Sequence, residues 1–144
     1  MQIFGKPLRE YIWPVKWYFI ASIIVVIFQY EGMIAQTAYD PLMARITQWL
    51  WEVFVAAAVF TLAWKHNFGP KQILFTGILF SLIIHGLKAF VFRVFLFPYP
   101  PESWPWLHIE KFLYGSAIVM ALTLAIGLAA YYYRQGKYRQ GKIK

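Results

Sequence analysis

The sequence predicts an all-α fold: a bundle of four transmembrane helices, up-down-up-down, with both termini in the cytoplasm. Three observations predict it. Of the 144 residues, 60% are hydrophobic and 14% charged, where a soluble domain carries about 25% charged residues. Four apolar stretches have the length a bilayer requires. The basic residues gather on one side of those stretches.

The composition excludes several classes. One soluble domain of this size has too little polar surface to cover so much apolar side chain, and so apolar a chain is not disordered. There is no cysteine, so disulfides, thiolate metal ligands and cysteine nucleophiles are ruled out. Asp40 is the sole aspartate, so no intramembrane aspartyl dyad exists.

About 20 apolar residues cross a hydrocarbon core ~30 Å thick at ~1.5 Å rise per residue. The first span runs from Trp13 to Tyr30, with no charge after Lys16. The second runs from Pro41 to Trp64 and is interrupted by Glu52. The third, Gln72 to Phe97, carries His85, Lys88 and Arg93. The fourth, Ile109 to Tyr133, is uncharged from Phe112 onward. No Ala-x-Ala cleavage site cleanly follows the first stretch, which therefore reads as a span and not a signal peptide.

The connections agree. Asp40-Pro41 reads as an N-cap followed by proline in the first helical turn. Asn67-Phe68-Gly69-Pro70 reads as a tight turn, with Gly ending one helix and Pro opening the next. It predicts that the second and third spans are antiparallel neighbours. Pro98, Pro100, Pro101 and Pro105 make the third connection stiff and extended. No connection could hold a soluble domain, so residues 1–144 read as one membrane domain.

Charge sets the orientation. Lys6, Arg9, Lys16, Lys65, Lys71, Arg134, Lys137, Arg139, Lys142 and Lys144 fall on one side. The positive-inside rule makes that side cytoplasmic in a cell membrane. Glu31, Asp40, Glu52, Glu102 and Glu110 lie outward. The seven Trp suit two interfacial belts. The tail, residues 134–144, repeats Tyr-Arg-Gln-Gly-Lys from Tyr133 and again from Tyr138. It is expected to lie against anionic lipid. Without an accompanying fold module, it does not suggest nucleic-acid binding.

Small residues predict helix packing. Ala117, Ala121, Ala125 and Ala129 recur every four residues on the fourth span, a ridge that admits close backbone approach in lipid. Gly77, Ser81, His85, Ala89 and Arg93 recur every four on the third. Arg45, Gln48, Glu52, Ala56 and Ala63 share a face of the second, and Tyr18, Ser22 and Gln29 one of the first. These faces are expected to meet protein, within the chain, in a homo-oligomer or against a membrane-protein partner.

Depth singles out the candidate site. Glu52, His85 and Lys88 fall in the outer half, with Arg93, Tyr114 and Gln29 at compatible levels. A charge in mid-span costs ~2.5–3.5 kcal/mol, so these groups should turn inward and pair. Glu52 with Lys88 is the expected pair. Arg93 can snorkel to headgroups; His85 cannot, and needs a partner. The cluster is open to four readings: a structural lock, a binding site for an anionic headgroup or small anion, a proton-coupled carrier site, or a catalytic site with Glu52 or His85 as base.

No cofactor is expected. His66, His85 and His108 do not lie at one depth, as bis-histidine haem requires, and His108 with Glu110 is a meagre metal pair. The sequence therefore suggests a non-enzymatic accessory or subunit of a larger membrane assembly. The alternative is a small carrier, channel or flippase component binding an anionic group.

Overall fold

The computed structural model describes residues 2–35, 41–92 and 106–139. Asp40, Arg93, the proline-rich connection and residues 140–144 lie outside the described residues. The described residues are helical apart from a two-stranded hairpin and the turn at residues 66–69, and among them four helical segments are long and apolar enough to cross a membrane: Leu8–Gln29, Arg45–Lys65, Pro70–Phe92 and His108–Arg139.

The hairpin pairs β1 (Gln2–Ile3) with β2 (Lys6–Pro7). Its two turn residues both have positive φ, Phe4 at 50° and Gly5 at 82°, as the tightest hairpin turn demands. The left-handed Phe4 is held by its surroundings. Its carbonyl accepts from Gln72 Nε2 at 2.9 Å, and its ring meets Phe75 edge-on. Tyr11 donates to the Ile3 carbonyl at 2.7 Å and packs between Phe68 and Phe75. The amino-terminal segment, expected only as a basic flank, is thus folded onto one end of the bundle.

The first span is broken. α1 (Leu8–Ile12) passes through a 3-10 turn (Trp13–Val15) containing Pro14 into α2 (Lys16–Ala35). Proline lacks the N–H that a continuous helix would use there. α3 (Pro41–Lys65) follows. Reversal after it falls on Asn67, at φ 56°, a conformation asparagine tolerates. Gly69 caps α4 (Pro70–Phe80) instead, its N–H donating to Gln72 Oε1 at 2.6 Å. So the expected turn forms, but Asn67 rather than Gly69 ends the first helix, and Gly69 caps the next.

Beyond Phe80 the third span widens into π-helical turns over Ser81–His85 and Leu87–Phe92. Such turns are rare and concentrate at functional sites. α5 (Trp106–Arg139) has 34 residues. At ~1.5 Å per residue it outruns the hydrocarbon core. The start of the basic tail is therefore a continuation of the helix.

α3 packs against α2 on one side and α5 on the other, and the third span packs chiefly on α5. The expected adjacency of the second and third spans gives way to this arrangement. Their backbones have little contact, and they meet through long side chains such as Trp51 and His85. The core holds Tyr11, Val15, Trp51, Leu62, Phe68, Phe80 and Val119.

The α5 seam is Gly115, Val119, Thr123, Gly127, Ala130 and Arg134, all buried, whereas Ala117, Ala121, Ala125 and Ala129 are exposed. The alanine ridge therefore does not pack within the chain. Gly77 and Ser81 do. A Cβ on Gly77 would lie 2.7 Å from Met120 Sδ, and Ser81 Oγ donates to the Ser116 carbonyl at 3.3 Å. Ala63 is buried, Ala56 half-buried and Arg45 exposed on α3. On α2, Ser22 is buried and donates to the Tyr18 carbonyl at 2.9 Å.

Candidate functional site

At the end of the bundle away from the Asn67–Pro70 turn, α3, the third span and α5 enclose a cleft of about 270 Å³. Its walls include Gln48, Glu52, His85, Lys88, Lys111 and Tyr114, with Gly115 and Ile118 beneath. Four of the six residues expected to gather do so: Glu52, His85, Lys88 and Tyr114. Gln29 is half-buried on α2 and is not part of the lining. Arg93 lies outside the described residues.

The hub is Gln48. Its Nε2 donates to Glu52 Oε1 at 2.5 Å, and its Oε1 accepts from Trp51 Nε1 at 3.0 Å and from Lys88 Nζ at 3.4 Å. Glu52 and Lys88 are linked through this amide. Among the described residues, the ion pair within 4.0 Å is Lys6–Glu10, in the hairpin region. Lys88 also sits 5.1 Å from the Trp51 ring centroid, a cation–π distance. Gln48 carries one donor and one acceptor group on the face that also bears Glu52, so it can serve both charges at once.

His85 is buried against Trp51, with ring centroids 5.3 Å apart and nearly perpendicular. Its other side lies on α5, where Gly115 makes room. A Cβ there would stand 2.0 Å from His85 Nδ1. His85 Nε2 is buried with no hydrogen-bond partner among the described residues. An unsatisfied buried polar atom costs about 1–3 kcal/mol, so it marks a place where something else can bind.

Other groups in the cleft are also unused. Among the described residues, Lys111 and Tyr114 are exposed and form no hydrogen bond, and Glu52 Oε2 has no donor. Toward the Asn67–Pro70 turn the helices pack closely: a Cβ on Gly77 would meet Met120 and Thr123, and one on Gly127 would meet Ile73 and Val59.

Gln48 and Lys111 were legible only in part. Gln48 stands four residues before Glu52 and Lys111 three before Tyr114, spacings that share a helix face. Nothing in the sequence marks Gly115 as the seat of His85. His108 is buried and Glu110 exposed. No group of three or more potential metal-binding carboxylate or imidazole side chains converges among the described residues.

No protein-family model, curated protein or solved structure matches the chain. The class defined by fold and composition is a multi-pass helical chain suited to a membrane. Any more particular reading rests on the cleft.

Proposed function

We propose that this protein is a small, non-enzymatic subunit of a membrane assembly that holds an anionic headgroup in its cleft. In this reading the helices run up-down-up-down in a cell membrane. Both termini lie in the cytoplasm, and the cleft opens in the outer half. Ten of the 14 basic residues fall on the proposed cytoplasmic side, supporting that orientation. Lys137 and Arg139 then face the anionic leaflet.

The observation that carries the reading is that Lys111, Tyr114 and His85 line one small cleft, Lys111 and Tyr114 without a hydrogen bond to a described residue and His85 Nε2 buried without a partner among them. An ammonium and a phenolic hydroxyl are donors of the kind that phosphate oxygens accept from. The volume suits a headgroup better than a drug-sized ligand, whose pockets run to about 300–1,000 Å³. The close packing at Gly77 and Gly127 favours holding a ligand over conducting one.

The test is purification in mild detergent followed by native mass spectrometry and phosphorus analysis. The wild-type chain is expected to retain about one phospholipid per chain. Lys111→Met combined with His85→Asn is expected to lose it while keeping a sharp unfolding transition. Equal retention by both proteins overturns the reading. The exposed alanine ridge favours a partner helix as well, either from another protein or from a second copy.

A further inference from the structure

The cleft carries charge of both signs in an ordered arrangement, and this specifies its ligand more closely than an anion site would. Glu52 stands at one end of the Gln48 amide and Lys88 at the other, with Lys111 and Tyr114 on the facing helix. Glu52 Oε1 is engaged by Gln48, while Oε2 has no donor among the described residues. The unused donors are Lys111 and Tyr114, and the unpartnered His85 Nε2 is 5% exposed at residue level, in the wall.

Resting on the headgroup reading above, we infer that the ligand is a phosphate ester bearing a primary ammonium, as in an ethanolamine phospholipid. The phosphate oxygens take hydrogen bonds from Lys111 and Tyr114. The ammonium donates to Glu52. His85 Nε2 is satisfied by whichever polar group of the ester reaches it, since imidazole can donate or accept there.

The selectivity follows from what each alternative leaves unpaired. A glycerol headgroup brings a phosphate but no cation, so the half-buried Glu52 is left beside the incoming negative charge. A choline headgroup brings a cation that cannot donate a hydrogen bond. A site built to hydrogen-bond a group rejects the analogue lacking it, because its own polar atoms are then stranded.

The same chemistry could reach the cleft as a lipid or as a soluble phosphoethanolamine, and the test separates them. The full chain in detergent is titrated with phosphatidylethanolamine, phosphatidylcholine and phosphatidylglycerol of matched acyl chains, followed by native mass spectrometry. The expected result is about a tenfold preference for phosphatidylethanolamine. Glu52→Gln should abolish that preference and raise phosphatidylglycerol binding. Lys111→Met should weaken all three lipids in parallel, leaving their order unchanged. This second variant, at an exposed position, guards against a Glu52 variant that fails to fold.

Soluble phosphoethanolamine competing at concentrations similar to the lipid assigns a soluble source. Competition only at far higher concentration assigns a lipid one; both support the inference. Equal binding of the three lipids, or preference for phosphatidylglycerol, overturns the ammonium assignment and leaves the headgroup reading intact. Binding of none overturns both.

Discussion

Arg134 on α5 donates through Nη1 to the carbonyl of Ala63, and at 3.4 Å to that of Trp64, in the last turn of α3. Carbonyls there have no partner within their own helix and form the negative end of its dipole. A buried guanidinium satisfies both demands. Arg134 was expected merely to help orient the chain. It instead ties two helices together, with Trp64 stacked on Tyr133 beside it and Lys137 above both rings.

Removing that tie has a definite consequence. Arg134→Ala is expected to lower stability by about 2–4 kcal/mol, through loss of the cap and of a charge-assisted hydrogen bond. Arg134→Lys keeps the charge but loses the planar fork, and should fall between. Thermal unfolding in detergent reads both; unchanged midpoints would show that the contact contributes nothing.

Two glycines make a controlled pair. Gly115→Ala places a Cβ inside the space of the His85 ring. Overpacking of this kind costs about 1–3 kcal/mol, and here it should also weaken ligand retention. Gly86→Ala meets nothing within 4 Å, so it should be neutral or stabilising by up to about 1 kcal/mol. Equal effects of the two substitutions on unfolding would remove Gly115 as the seat of His85.

Gln48 is the third test. Gln48→Leu strands the fully buried Trp51 N–H and takes the donor from Glu52. Each lost partner costs about 1–3 kcal/mol. Adding Glu52→Leu should restore part of the loss, because the stranded carboxylate is then gone. A single substitution as stable as wild type would mean that the amide is not the hub.

The two faces of α5 should respond differently. Ala121→Leu on the exposed ridge is expected to shift stability by no more than about 0.5 kcal/mol while reducing self-association or partner retention on size-exclusion chromatography. Gly127→Ala brings a Cβ to 2.5 Å from Ile73 Cγ2 and should destabilise by about 1–3 kcal/mol. Reversed sensitivities would place the packing seam on the alanines.

Legibility from sequence followed physical scale. The four apolar stretches and the common level of Glu52, His85, Lys88 and Tyr114 follow from length and hydropathy, which the bilayer constrains directly, and the Asn67–Pro70 turn follows from its residues. Which face of α5 packs does not. Gly115–Thr123–Gly127 and Ala117–Ala121–Ala125 are both small and apolar, and in lipid neither is driven inward by water. The same ambiguity concealed that α5 packs against both α3 and the third span. With the backbones of α3 and the third span apart, the direct Glu52–Lys88 pair becomes a link through Gln48. The π-helical turns that carry His85 and Lys88 depend on packing that no periodicity reports. Arg134 was assigned by counting charges, and a count does not say which cation finds a carbonyl.

In the proposed orientation, polar solvent and ligand reach the cleft from outside while the rest of the bundle faces lipid. Because the chain has no cysteine, single replacements report this cleanly. Ile118→Cys, half-buried in the cleft lining, and Leu113→Cys, 60% exposed on the α5 surface, are treated in intact cells with a membrane-impermeant charged maleimide and normalised to labelling after denaturation. Ile118→Cys is expected to be labelled and Leu113→Cys not, although Leu113 has the larger exposed area. Labelling of Leu113→Cys with protection of Ile118→Cys, or labelling of Ile118→Cys only from the cytoplasmic side, would rule out access to the cleft from outside.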